Sequence, residues 1–430
     1  MREGSGWMYN ENLSWKGLRR TDPDRPRPLA DAVLRLIWQE RRISRAEIAG
    51  LAGLSRSTVS EIVNEILPMG IVAEVGEGPS RGGRRPIVLE FQDDACVILG
   101  VEMGATHVVA ALTDLRGRVL TWQSREHPVR TDPAGTRRLI AELCQVCLDT
   151  PGAGGRPLVG IGVAVASPVD PSNPDRLSTI VLPDWEARLG LDDLARHYGV
   201  PLMVDNDANL GALAEHWWGA GQGVDDLAYI KVAMGIGSGH VIAGEIYRGA
   251  TGVAGEIGHL SIDARGKPCI CGLQGCLVTL VGGPALLARA AELAIEYPQS
   301  PLAGREITIL ELENAALAGD PLALQVAHEA AGHLGRAVAG LLNLMNPSLV
   351  IIGGVLARLG DLLLVPLRET VVSRTLVSSV SAAEIRAGGL GELGIAIGAS
   401  TLVLKAALAD SHLFPRVGGG FAASKNAVAP

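Results

Sequence analysis

Between residues 29 and 91, apolar positions fall at helical spacing three times and then change to strand-like runs. Val33, Leu34, Ile37 and Trp38 share one face of a first helix. Ser44-Arg45-Ala46-Glu47 places Ser three residues before Glu, a capping box that opens a second helix. Ile48 and Leu51 form its apolar side, and Gly53 supplies the turn. Ser55 caps a third helix, with Val59, Ile62, Val63, Ile66 and Leu67 on its core face and Gly70 at its end. Residues 71–75 and 87–91 then read as two strands. Three helices followed by a two-stranded wing make a winged helix-turn-helix.

The other side of the third helix carries short hydrogen-bonding groups and an arginine, which suit base edges and phosphates. Ser55, Arg56, Ser57, Thr58, Ser60 and Asn64 are therefore candidate DNA contacts, and Arg45 at the opening of the second helix is counted with them. Helix spacing alone would equally fit a three-helix bundle used for protein contact. The wing decides between them: Arg81, Gly82, Gly83, Arg84 and Arg85 put guanidinium groups on a backbone that can approach a duplex closely.

After Phe91 the pattern becomes that of a larger α/β body. Residues 97–103 and 108–112 are apolar strands around Gly104-Ala105-Thr106, and the turn at 114–117 leads to a third strand. Residues 137–148 form an amphipathic helix. Its Cys144 and Cys147 have redox-motif spacing but fit two core thiols better. Residues 158–166 and 201–204 are further strands, the second running into Asp205-Asn206-Asp207-Ala208-Asn209 and a helix. Polar groups at the end of an apolar strand stand where α/β proteins hold ligands, although Asn206 and Asp207 also suit helix capping. Strands at 227–232 and 349–352 lead into Gly235 with Gly237, and into Gly353 with Gly354. Glycine turns after strands invite phosphate, and each one alone is a common hairpin. The alanine-rich stretch 330–345 reads as a helix packed between lobes.

Charge sharpens the division. The chain has 430 residues and a net charge of −8. Residues 1–90 hold 14 Lys and Arg against 12 Asp and Glu, whereas the remainder holds 24 against 34. A slightly basic head on an acidic body suits a nucleic-acid module joined to a small-molecule domain. No run approaches eighteen apolar residues, so no membrane span is expected. Thiols without a secretion signal fit a reducing, cytoplasmic setting.

The densest chemistry is Gly255-Glu256-Ile257-Gly258-His259, followed by Cys269, Cys271 and Cys276. Three of six cysteines fall within eight positions. One histidine and three cysteines make the ligand set of a closed structural zinc site, and this reading is preferred to a buried reduced cluster beside a core histidine.

These motifs resemble the ROK family (repressors, open reading frames and kinases), in its branch with an N-terminal winged helix. The resemblance rests on Gly82-Gly83-Arg84-Arg85-Pro86, the 205–209 run, Gly255 to His259, and Cys269-Ile270-Cys271-Gly272 with Gly275-Cys276-Leu277. It implies a two-lobed, actin-like, sugar-kinase-type body. The expected division is a disordered segment 1–28, a DNA-binding head 29–91, lobe I at 95–205 completed by 391–408, lobe II at 206–390, and a flexible tail 409–430. It also implies Zn2+ on His259, Cys269, Cys271 and Cys276, and a sugar held by Asn206, Asp207, Glu256 and His259. Asp207 matches the catalytic base of the kinases. Carboxylates accept from sugar hydroxyls, the Asn206 amide does both, and a zinc-bound His259 can aim its second nitrogen at the sugar.

The kinase motifs are altered. The kinases carry Asp-x-Gly-Gly-Thr at the first phosphate turn, where this chain has Glu102-Met103-Gly104-Ala105-Thr106. Glutamate is longer by about 1.5 Å, and Ala105 adds a Cβ where phosphate must approach. Met234 replaces a phosphate-binding threonine, Val278 replaces a sugar-binding glutamate, and Ala166-Ser167-Pro168 replaces a Pro-Gly turn. Gly104, Thr106, Gly235, Gly237, Gly353 and Gly354 are thus read as vestigial nucleotide turns. The expected function is a sugar-responsive transcriptional regulator, more a repressor than an activator. Its partners would be an operator duplex, a sugar effector and a second copy of itself, as a homodimer or dimer of dimers. The alternative is an ATP-dependent sugar kinase carrying a DNA-binding head.

Overall fold

The head's helix ends are chemically marked, and the chain follows those marks. The computed structural model describes residues 28–77, 86–375 and 383–415. The wing tip with Arg81, Gly82, Gly83, Arg84 and Arg85, the segment 1–27 and the end of the tail lie outside the described residues. Helix α1 (Pro28–Glu40) leads through β1 (Arg42–Ser44) into α2 (Arg45–Ala52). The Ser44 hydroxyl accepts from the Glu47 amide while the Glu47 carboxylate accepts from the Ser44 amide, so the capping box is complete. Gly53 ends α2 at φ 64°, in the left-handed region glycine enters without strain. Ser55 then caps α3 (Arg56–Ile66). Leu51, expected on the apolar side, is exposed; Ala49 and Ala52 join Ile48 in the core instead. Strands β2 (Val72–Glu77) and β3 (Ile87–Phe91) form the wing, and β1 pairs with β3 as a third strand that three residues were too few to announce.

The body contains the same strand arrangement twice. In lobe I, β4 (Val97–Met103), β5 (His107–Thr113), β6 (Val119–Glu126), β7 (Leu158–Val165) and β8 (Leu202–Asn206) assemble in the order β6-β5-β4-β7-β8. The outer hairpins are antiparallel, and β4, β7 and β8 run parallel. Helices α4 (Pro133–Leu148) and α5 (Asp192–Tyr198) belong to this lobe, and α6 (Asp207–Trp218) follows β8 directly. In lobe II, β9 (Leu227–Val232), β10 (Ile236–Ile242), β11 (Glu245–Tyr247), β12 (Leu349–Gly354) and β13 (Glu384–Ala387) repeat the order as β11-β10-β9-β12-β13. Its helices are α7 (Val278–Val281), α8 (Gly283–Leu293), α9 (Ile309–Leu317), α10 (Pro321–Met345) and α11 (Asp361–Arg374). The chain returns through α12 (Gly394–Ala409).

Between the lobes the sequence expectation needs correcting. Residues 330–345 belong to α10, which packs against α8, α9 and α11 on the outer side of the lobe II sheet. The interlobe helices are α6, lying on β9 and β10, and α12, lying on β4 and β7; the two pack on each other. Glycine permits that approach. A Cβ on Gly162 would stand 1.8 Å from the Ala399 carbonyl oxygen, and one on Gly398 would stand 1.9 Å from that of Leu210. The helical segment Gly391–Ala409, which includes α12, is long and apolar enough to cross a membrane, but it is spent inside the body, where most of it is buried. Cys144 and Cys147 are core thiols, with burial pushing Cys147 up to about 11.

The head is fused to the body by a shared core. Val33, Ile37, Ile43 and Phe91 pack in one cluster with Ile98, Leu115, Val403 and Leu404. The Trp38 indole donates to the Leu115 carbonyl at 3.1 Å, and Arg116 donates to the Trp38 carbonyl at 2.6 Å while pairing with Asp93. Trp217 and Trp218, at the end of α6, sit 5.4 and 6.1 Å from the Trp38 ring. Residues 410–414, which the sequence places in the tail, pack here too: Phe414 is buried and the Ser411 amide donates to Asp31. Replacing Trp38 by Ala should lower unfolding stability by about 3 kcal/mol, and urea titration should then show the head melting before the body.

Candidate functional site

The cleft is built where the strand ends of the two lobes meet α6. Asp205, buried at the end of β8, organises its floor. One carboxylate oxygen accepts from the Asn206 amide at 2.7 Å and the Asn209 side chain at 3.0 Å. The other accepts twice from Arg248, at 2.8 and 2.6 Å, tying lobe I to the segment after β11. Asn206 then caps α6. Its Oδ1 accepts from the Ala208 and Asn209 amides, and its Nδ2 donates to the Ser167 carbonyl at 3.1 Å. The capping role weighed for Asn206 is therefore filled, and one amide hydrogen remains for a ligand.

Asp207 begins α6 and is buried, but its partner was not legible in the sequence. Lys231, on β9 of lobe II, donates to Asp207 Oδ2 at 2.7 Å and stands 3.5 Å from Glu102 Oε1 on β4 of lobe I. Burial opposes the ammonium charge, yet the two carboxylates more than offset it and hold the Lys231 pKa above the usual lysine value. Burial alone would raise the Glu102 carboxyl; Lys231 and His107 together hold it below its ordinary value. Apolar neighbours in the strand disguised Lys231, since a lone lysine in β9 reads as a snorkelling side chain.

The first glycine turn is also changed. The Gly104 amide donates to the His107 carbonyl at 3.0 Å, closing a hairpin. The His107 ring lies so close that a Cβ on Gly104 would stand 2.6 Å from it. Thr106 accepts the His127 amide at its carbonyl. Gly235 is open, Gly237 faces Ala208, and Gly353 lies against Tyr229. Gly354 has φ 85° and leaves no room for a Cβ beside the Val232 carbonyl. Met234 is solvent-exposed at the second turn, and Val278 opens α7.

The loop from Gly255 lies flat on β10. Gly255 has φ 94°, and a Cβ there would come within 1.9 Å of the Ser238 carbonyl oxygen. Ser238 holds the loop with its hydroxyl on the Gly255 carbonyl and the His240 ring. Glu256 reaches solvent but is walled in by the cleft, and burial followed by the charge of Asp207 raises its carboxyl pKa. Three residues on, His259 presents Nδ1 to Cys269 Sγ at 3.4 Å, leaving Nε2 on the opposite edge of its ring. Cys271 and Cys276 lie 3.6 Å apart, and the four donor atoms fall within 4.8 Å of one another. His259, Cys269, Cys271 and Cys276 thus form a cluster that could hold a metal ion. A separate groove of about 770 Å³ between α10 and α11 has largely aliphatic walls and shares none of these residues.

Residues 98–406 match the ROK family, and residues 32–72 match a winged helix-turn-helix DNA-binding model. This chain belongs to the ROK family. Among similar proteins is a putative xylose repressor from Caldicellulosiruptor sp., 31% identical over 88% of this chain and 95% of the relative. The Escherichia coli DNA-binding transcriptional dual regulator NagC is 31% identical over 80% of this chain and 84% of its own length. Among solved structures, a ROK family transcriptional regulator homologous to the E. coli MLC protein superposes with TM-score 0.77 at 27% identity, covering 90% of this chain and 97% of that one. A ROK glucokinase from Streptomyces griseus, in complex with glucose and AMPPNP, gives TM-score 0.63 at 30% identity, covering 71% and 98%. The two-lobed body and winged head expected from the motifs are therefore the fold of this ROK protein.

On the head, Arg56 and Ser57 stand exposed at the start of α3, with Thr58 and Ser60 partly covered. Ser55 spends its hydroxyl on the Thr58 amide. Arg45 is half-buried and engaged within the head. It donates to the Ser60 carbonyl, to Asn64 Oδ1 and to Glu74, bracing α3 against β2. Arg45 and Asn64 thereby satisfy each other first.

Proposed function

We propose that this ROK protein is a sugar-responsive, DNA-binding transcriptional repressor whose effector binds between the lobes. The observation that carries this reading is the span of α6. Its first turn holds Asp207 in the cleft, and its last turn packs Trp217 and Trp218 on Trp38 of the head. A ligand that favours one closure of the lobes would move one end of this helix and reset the other. The relative named as a putative xylose repressor supports a carbohydrate effector. Asp207, Glu256, the free amide hydrogen of Asn206 and Nε2 of His259 would meet its hydroxyls.

The metal is proposed to be zinc. A tetrahedron with Zn–S near 2.3 Å has sulfur edges of roughly 3.8 Å, close to the spacing within the cluster. One ion would fix the His259 ring through Nδ1 and so aim its other edge. Two copies related by a two-fold axis would present paired α3 helices to a palindromic operator.

Pull-down of genomic fragments with the full chain, repeated with xylose, glucose and N-acetylglucosamine, tests the reading. One operator should be retained and then released by one sugar. Arg56→Ala should weaken operator binding by about 10- to 100-fold while leaving sugar binding intact. Retention of no fragment, or sugar-dependent ATP turnover in a coupled assay, would overturn it.

A further inference from the structure

The cations around the cleft floor are already committed. Lys231 is enclosed by Asp207 at 2.7 Å and Glu102 at 3.5 Å. The guanidinium of Arg248 makes two bonds to Asp205 and one to the Ile246 carbonyl. Two backbone amides of the glycine turns are also spoken for, since the Gly104 amide is bonded within its hairpin and the Ala233 amide donates to the Gly235 carbonyl. Against one buried ammonium stand two buried carboxylates, with Glu256 close enough for Asp207 to act on it; the half-exposed His107 ring, 3.6 Å from Glu102, is already engaged with that carboxylate. The floor therefore keeps a surplus negative charge beside the carboxylate that would meet a sugar hydroxyl.

We propose that Lys231, pinned between Glu102 and Asp207 across the two lobes, is a specificity-determining residue that restricts the effector to an uncharged, unphosphorylated sugar. This rests on the sugar-responsive reading above and narrows its ligand class. The ammonium occupies the space beside Asp207 and positions that carboxylate as an acceptor for neutral hydroxyls. A phosphate ester brought to the same place would displace Lys231 from its partners or face the surplus carboxylate charge without an uncommitted counter-ion. A nucleotide phosphate meets the same obstacle, so sugar binding requires no nucleotide.

Calorimetric titration of the full chain tests this, with glucose and N-acetylglucosamine compared against their 6-phosphates, in the presence and absence of Mg2+ and AMPPNP. At least one parent sugar should bind about 100-fold or more tightly than its phosphate, and AMPPNP should leave that affinity unchanged. Glu102→Gln keeps the Lys231–Asp207 pair but removes the surplus charge, so the gap between sugar and phosphate should narrow by about tenfold or more. Lys231→Met should weaken the parent sugar, and the double variant with Glu102→Gln, which leaves fewer unpaired charges, should keep that defect while remaining folded. A Glu102→Gln chain with the wild-type sugar-to-phosphate ratio would overturn the proposal, and so would a folded double variant that binds the parent sugar as tightly as Glu102→Gln alone, because the lysine would then be merely structural. Equal or tighter binding of a phosphate by the wild type would also overturn it while leaving the sugar-responsive reading intact. Binding of neither class would overturn both.

Discussion

Chelation of the His259 cluster should release one equivalent of zinc per chain and remove the response to sugar before it removes the fold. The four donors lie on a loop without a regular helix or sheet of its own, tied by turn bonds such as Cys269 to Leu273 and Gly275 to Lys267, and its course depends on glycines at 255, 258 and 275. A Cβ on Gly275 would stand 1.6 Å from the Asp263 carbonyl oxygen, so the loop cannot relax into ordinary backbone there. Structural zinc in small domains contributes about 10 kcal/mol or more to folding. Here the lobe II core, with Leu277 and Val281 directly after the last cysteine, would hold most of the body without it. The expected pattern is therefore partial: a midpoint of thermal unfolding lowered by roughly 10 °C, loss of protection over residues 255–276 in hydrogen exchange, and a wild-type grip on the operator that sugar no longer loosens. Cys276→Ser should reproduce it, because Cys276 is the fully buried ligand. Mass spectrometry under native conditions would count the metal, and a metal-free chain with an intact sugar response would refute the role assigned to zinc.

Asp207→Ala should have an effect of similar size through a different route. It removes the proposed sugar acceptor and also leaves Lys231 with only the more distant Glu102. Losing one partner of a buried ion pair costs about 3–5 kcal/mol, because the remaining charge stays out of water. Sugar affinity should fall by at least about 100-fold, since a hydroxyl would lose a charged acceptor in a desolvated site. Asp207→Asn preserves shape and a partial acceptor, and should recover most of the stability but little of the affinity. Operator affinity without sugar should stay near wild type in both variants. Calorimetry, denaturant titration and DNA-binding anisotropy separate the three quantities.

The local signals in the sequence served the head well. The capping box at Ser44, the turn at Gly53 and the cap at Ser55 each act within four residues, so a one-dimensional reading captures their chemistry. The apolar strands of the body and the cysteine spacing are local in the same sense, and the structure brings those four metal-type ligands together. Motif resemblance supplied the family, which the matched residues then established. For Arg45 the sequence showed only a place beside the capping box, and the fold adds its contacts with Asn64 and Glu74.

What the sequence determined by itself is the set of helices, strands and turns whose causes lie a few residues away, together with the residue types available for metal, sugar and duplex. Only the tertiary structure decided which charges meet and which helices join the lobes. Lys231 finds Glu102 and Asp207, and Trp38 finds Trp217 and Trp218, because separate sheets and helices are packed face to face. Helical period and capping are properties of neighbouring residues. The pairing of buried charges depends instead on where hydrophobic packing delivers distant backbones, and no single segment carries that information.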